Sequence, residues 1–336
     1  MRRALAVAAV LAALTTACAG GPAADRAAQL GAAPGATPGE APGGPDGDPP
    51  AEPPDREPGD EPADPVVIAP EHGTVAIAET VAEDLPPGLR RAAALPDGTL
   101  LLTPATGGTV HHLDPATGNL TAAGEVESTT GEMTIVDIAA SEEAVYIAYE
   151  GAQSNRISRY TYEAGTLRPT GSAAARDLPR GAGLMTFGPD GLLYASTGPS
   201  GDILRIDPAR PAGTTTFSTG HTDLRGLAWD TMGVLWTVDP GNGSTTDISP
   251  VAPEQPLPPA DTTVPAAEDP TDVAQLAGSL WMTTAAGTLW RYPLPNASPE
   301  PFLTDDLGPL TAVLPTPDGE DLWLLTETSL LRLTVT

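Results

Sequence analysis

The 336-residue chain contains no lysine and a single cysteine, and only 4% of it is aromatic. One cysteine, Cys18, excludes an intrachain disulfide and every paired-cysteine zinc or redox motif, so any fold must be held by packing. All 16 basic residues are arginine, set against 44 acidic ones, for a net charge of −28. A surface that acidic repels phosphate backbones and anionic lipid, which excludes nucleic acid as an expected partner. No GxSxG, HExxH or phosphate-loop motif is present, and the Asp-Gly turns lack the carboxylate spacing of an EF-hand.

The N-terminus does carry an apolar run. Arg2 and Arg3 precede Ala4 to Ala17, a stretch too short for a permanent membrane helix but of the right length for a signal peptide. LTTAC (14–18) resembles a bacterial lipobox, with Thr15 at a place the motif usually gives to Leu or Val. The resemblance implies removal of residues 1–17, lipidation of Cys18 and attachment to the cell membrane in an extracytoplasmic location. The alternative is an ordinary secretory peptide and a secreted protein, and the paired arginines leave Sec and twin-arginine export both open. Loss of Arg2 and Arg3 leaves 14 arginines against 44 acidic residues, a charge of −30.

Residues 19–65 are Ala, Gly, Pro, Asp and Glu almost throughout. With so few large apolar groups the segment cannot offset its ordering entropy, so 18–65 is expected to be a disordered, Pro/Gly-rich acidic tether behind the lipidated cysteine.

From residue 95 onward a pattern recurs six times: a turn, a bulky apolar pair and a second short apolar strand. Leu100, Val145, Leu193, Leu235, Leu280 and Leu322 align, each followed by a residue of equal or larger size: Leu101, Tyr146, Tyr194, Trp236, Trp281 and Trp323. A strand-rich period in the forties predicts an all-β fold, a six-bladed β-propeller over 66–336. Arg159, Arg205, Arg291 and Arg332 fall two places after the anchor of the second strand and are expected at one structural place in successive blades, as inter-blade salt bridges or solvent-facing ladders. The fourth repeat has no evident second strand, and its Pro-rich stretch 241–270 reads as a long loop over one face. His111 and His112 alternate to opposite faces of their strand, which excludes a shared metal.

GLMTFGPDGLLYASTGPSGDILRIDP (183–208) and STGHTDLRGLAWDTMGVLWTVDPGNG (218–243) resemble the soluble quinoprotein glucose dehydrogenases and the aldose or sorbosone dehydrogenases. LRRAAALPDGTLLLTPATGGTVHHLD (89–114), SNRISRYTYEAGTL (154–167) and LGPLTAVLPTPDGEDLWLLTETSLLRL (307–333) are similar to other blades of that family. The resemblance implies pyrroloquinoline quinone (PQQ) and calcium on one face and oxidation of sugars. It also locates the residues for that chemistry, and they differ here. Arg180 stands where the family has its catalytic histidine, and a guanidinium does not serve as a base near neutral pH. Thr222 and Asp223 follow His221 in place of the cofactor-binding Arg and Asn, Ala285 replaces a lysine, and Pro309 and Thr311 replace two arginines.

Each change removes a group suited to a tricarboxylate cofactor. The expectation is therefore a degenerate member with no catalytic residue and no cofactor, binding a small molecule, glycan or protein at one face. The candidate ligand face comprises Arg180, His221, Asp223, Arg225 and Asp239, with a solvated ion-pair network as the plain alternative. Two other functions stay open: a divergent PQQ-dependent sugar oxidoreductase, with calcium, and a propeller lactonase or related hydrolase.

Overall fold

The computed structural model describes residues 66–68, 76–126, 133–151, 155–179, 181–198, 201–210, 213–221, 224–239, 245–251, 263–265, 269–294, 300–303 and 307–335. The signal peptide, Cys18 and the whole tether lie outside the described residues, as do Arg180, Thr222 and Asp223.

The strands follow one another in chain order. Two early ones, β1 (Val66–Ile68) and β2 (Ala76–Ala82), precede the first sheet: β3 (Leu89–Ala94), β4 (Leu100–Pro104), β5 (Thr109–Asp114) and β6 (Asn119–Glu125). The next is β7 (Met133–Ala140), β8 (Val145–Gly151), β9 (Asn155–Glu163) and β10 (Thr166–Ala175). A third holds β11 (Met185–Phe187), β12 (Leu193–Ser196), β13 (Ile203–Ile206) and β14 (Thr215–Ser218). The fourth is β15 (Gly226–Trp229), β16 (Leu235–Asp239), β17 (Thr245–Val251) and β18 (Thr263–Pro265). The fifth is β19 (Pro270–Leu276), β20 (Ser279–Thr284), β21 (Leu289–Pro293) and β22 (Glu300–Leu303). Finally β23 (Leu310–Pro315), β24 (Asp321–Thr326) and β25 (Leu330–Val335) pair with β2 and, through it, β1.

Five sheets thus are four-stranded antiparallel meanders, and the sixth has five antiparallel strands. The first strands β3, β7, β11, β15, β19 and β23 touch in succession, and β23 touches β3 again, so the sheets close a ring as a β-propeller. Strands from opposite ends of the domain make the closure: β2 pairs with the last strand β25, from Ala76 opposite Val335 to Ala82 opposite Leu330.

The recurrent pattern marks the second and third strands of each sheet. Leu100, Leu193, Leu235, Leu280 and Leu322 are fully buried, and their successors Leu101, Tyr194, Trp236, Trp281 and Trp323 are buried. Both faces are apolar because each sheet lies between two others, which replaces simple in–out alternation with continuous apolar runs. Six clusters fill the spaces between neighbouring sheets. One joins Leu101 and Val110 to Ile147 and Tyr160; another sets Trp281 and Phe302 against Val313, Leu324 and Leu333. The Trp281 and Phe302 rings meet edge to face at 4.8 Å.

The arginines fall in register, as expected. Arg159 lies opposite Tyr146, Arg205 opposite Tyr194, Arg291 opposite Trp281 and Arg332 opposite Trp323. The expectation of bridges between blades is corrected: Arg205, Arg291 and Arg332 each pair with an acid of their own sheet. Arg291 covers the Trp281 ring at 5.7 Å and pairs with Glu300, while Arg332 covers Trp323 at 6.0 Å and pairs with the buried Asp321. His112 stacks on Tyr162, consistent with a packing role.

The reading of 241–270 as one long loop is corrected. Thr245–Val251 is a strand along β16, and Thr263–Pro265 adds the outer strand. The prolines hid it. Pro250 stands opposite Trp236, and β18 pairs only with Thr245–Asp247, so the outer side of the strand at Pro250 needs no donor.

Candidate functional site

The six first strands ring an axial cavity of about 340 Å³ whose wall draws on every sheet. Its apolar lining includes Met185, Phe187, Trp229 and Val313; its polar lining includes Asp137, Asp272 and Gln275. The carboxylates are placed by irregularities of the strands. Register shifts between Leu89 and Arg91, Ile135 and Asp137, and Pro270 and Asp272 leave one extra residue in β3, β7 and β19. Such a bulge re-aims the side chain that follows it. Arg91, Asp137 and Asp272 each occupy that place.

These three residues tie the ring together. Arg91 Nε donates to the Val136 carbonyl at 3.0 Å, and its Nη1 reaches across to the Thr271 carbonyl of the fifth sheet at 2.8 Å. Asp137 accepts from the N–H of Ile138 at 2.9 Å and of Met185, on the next sheet, at 2.6 Å. Asp272 repeats the arrangement with Val273 at 2.9 Å and Val313, again on the next sheet, at 3.0 Å. Burial pushes the Asp137 carboxyl up to about 7; nearby Arg91 opposes this, and the Asp272 charge adds to it. Asp272 is raised too, again by burial and against Arg91. Two residues of the wall carry a buried donor with no partner among the described residues, Gln275 Nε2 and Trp229 Nε1, the latter on a ring that packs outward against Tyr194 and Phe217.

His221 sits between the third and fourth sheets. It is 7% exposed, its Nε2 shares a 2.9 Å hydrogen bond with the Ser218 hydroxyl, and its N–H donates to the Gly201 carbonyl. Burial lowers its affinity for a proton, with Asp239 and Asp202 opposing. The backbone there is very close: a Cβ on Gly201, whose φ is +71°, would lie 1.7 Å from the His221 carbonyl oxygen. Arg225 is exposed and donates its N–H to Val238, next to Asp239, so His221, Arg225 and Asp239 do share one neighbourhood. Ala285 is exposed with its N–H on the Asp269 carbonyl, Pro309 is exposed, and the Thr311 hydroxyl donates to the Leu325 carbonyl at 3.2 Å.

Arg91, Asp137 and Asp272 were not singled out from sequence. The one signal of the two aspartates is a lone charge within its strand, in MTIVDIAA and PTDVAQL. Among the described residues no group of three or more His, Cys, Asp or Glu is gathered to hold a metal.

An axial cavity ringed by first strands defines the class: a β-propeller with a central ligand-sized space. Within that class the structure is similar to the PQQ-bound form of the aldose sugar dehydrogenase from Streptomyces coelicolor. The two are 29% identical over 80% of this chain and 100% of that one, with a TM-score of 0.68. It also resembles a glucose dehydrogenase-type oxidoreductase from Thermus thermophilus (22% identity, 76% and 99% coverage, TM-score 0.65). A gluconolactonase from Xanthomonas campestris shares the fold at 14% identity (82% and 97% coverage, TM-score 0.60). No family model and no curated protein matches the chain.

Proposed function

We propose that this protein is a lipid-anchored extracytoplasmic β-propeller, descended from the sugar dehydrogenase architecture, that binds a ligand or partner without oxidising it. The observation that carries this reading is the state of the described residues at the places where the enzymes hold their cofactor. Ala285 and Pro309 offer no charge, and the Thr311 hydroxyl is committed to Leu325. His221 is buried with Nε2 committed to Ser218. A tricarboxylate quinone depends on charge-assisted pairs, and these residues supply none. They do not fit PQQ, so no reaction step is derived through it.

The anchor follows from Cys18, and the acidic tether 18–65 would hold the propeller away from the membrane. Arg180, His221, Asp223, Arg225 and Asp239 form the proposed ligand face.

The test is to incubate the purified chain with PQQ and calcium and follow aldose-dependent reduction of a dye. The proposal expects no turnover above the protein-free control. Sustained turnover would instead establish the divergent oxidoreductase. Replacing Cys18 with Ala is expected to move the protein from the membrane fraction to the soluble fraction; unchanged membrane association would reject the anchor.

A further inference from the structure

His221, Arg225 and Asp239 do not line the axial cavity, which raises a problem of charge of its own. Two carboxylates, Asp137 and Asp272, share its wall, while one cation, Arg91, acts on both. The guanidinium is hydrogen-bonded to the carbonyls of Val136 and Thr271, so it offsets one of the two charges from a distance. The groups facing Asp137 are Arg91 from β3, Asp272 from β19, its neighbour's N–H at Ile138 and the Met185 N–H from β11. One negative charge remains in excess inside the ring, where an uncompensated ion is costly.

Only two kinds of species can remove that excess: a proton or a bound cation. The rest of the wall indicates what sort of cation. Met185 and Val313 supply apolar contact, while the Trp229 and Phe187 rings turn outward against Tyr194 and Phe217 and against Tyr146. Gln275 Nε2 is a buried donor without a partner among the described residues, so the cavity has a donor to satisfy as well as a charge to neutralise. A metal ion would use the carboxylates and leave that donor unmet. A protonated amine with a hydroxyl nearby uses both.

We propose that the axial cavity is a binding site for a small organic cation, a protonated amine bearing a hydrogen-bond acceptor on a short apolar body. The ammonium lies against Asp137 and Asp272, and the acceptor takes the donor of Gln275. Where Asp137 is protonated before binding, the incoming ammonium keeps its own proton and the Asp137 proton leaves to solvent. The site concerns the axis and assumes nothing about the enzymes' cofactor positions, so it stands or falls apart from the dye assay.

Calorimetry on the full chain in detergent tests it with 2-amino-1-phenylethanol and its neutral counterpart 1-phenylethane-1,2-diol. Saturable binding of the amine is expected, with the diol at least about tenfold weaker. The amine should bind about tenfold more tightly near pH 8 than near pH 6, with close to one proton released at the lower pH, measured from buffers of different ionisation heat. Gln275→Leu should weaken the amine while leaving the proton release intact, and Asp137→Asn should abolish the pH dependence. If Asp137→Asn does not fold, the proton count on the unaltered protein decides alone. Equal binding of the diol, binding without proton release near pH 6, or no saturable binding of the amine at millimolar concentration would each overturn the proposal.

Discussion

Aspartates at the hairpin turns and aspartates on the axis behave oppositely, although residue type and net charge are the same. Asp97 accepts the Thr99 N–H and hydroxyl at 3.0 and 2.6 Å, and Asp318 accepts the Thr316 hydroxyl and the Glu320 N–H. Asp190 lies beside Arg205 at 3.0 Å and accepts from the Tyr194 hydroxyl. The carboxyls of these turns are held below the usual range; at Asp97 and Asp318 the first cause is a threonine hydroxyl, and at Asp190 the hydrogen bonds and Arg205 outweigh the opposing burial. Asp137 and Asp272 also accept two N–H bonds apiece, yet burial raises both. Solvent makes the difference. At a turn the hydrogen bonds add to hydration, whereas on the axis they stand in for it.

The largest expected effect falls on the axis. Asp272→Ala strands the N–H groups of Val273 and Val313, one of them the link to the next sheet, and each buried unpaired group costs about 1–3 kcal/mol. Urea unfolding of the two chains measures the loss. A cost below about 1 kcal/mol would mean that the axial carboxylates do not hold the ring.

Next comes pH. Between the ordinary value of 3.8 and about 7, folded Asp137 keeps a proton that the unfolded chain has released. Its contribution to stability is therefore full below about pH 4 and is lost as pH rises through about 7, by a few kcal/mol at most. The turn carboxyls have the opposite sign: their contribution is present above the unfolded value and is lost as pH falls through their lowered folded values. Melting temperature against pH should thus decline between pH 5 and pH 8, and Asp137→Asn should flatten the decline without changing the acid limb. A profile that instead rises through that window would contradict the raised carboxyl.

The smallest effect belongs to the turn. The Arg205 and Asp190 side chains are 45% and 35% exposed, so water and salt screen the pair, and Arg205→Ala should cost less than about 1 kcal/mol. Denaturant midpoints with and without added salt check this; a larger, salt-insensitive loss would remove the contrast with the axis.

The same contrast explains what the sequence made legible. Leu193 and Tyr194, or Leu280 and Trp281, recur at a readable period because every sheet must bury the same two faces against its neighbours. PDG turns are readable because Asp accepts the N–H two residues on and Gly takes a positive φ, +88° at Gly98 and +74° at Gly191. The first strands were missed. β11 and β15 are three and four residues long, and bulges at Arg91, Asp137 and Asp272 break the alternation that would reveal the others. The axial group is non-local as well: Arg91 and Thr271 are 180 positions apart, and nothing in either segment announces the other. The candidate face was named through resemblance; Arg180 and Asp223 lie outside the described residues, and the commitment of His221 to Ser218 needed coordinates.

The central claim is that this propeller keeps the architecture of the sugar dehydrogenases without their cofactor chemistry. Equilibrium titration of the purified chain with PQQ in the presence of calcium, followed by the quinone's absorbance, bears on it most directly. The account predicts a spectrum that stays that of free PQQ, with no saturation. A saturable spectral change at one quinone per chain would contradict it.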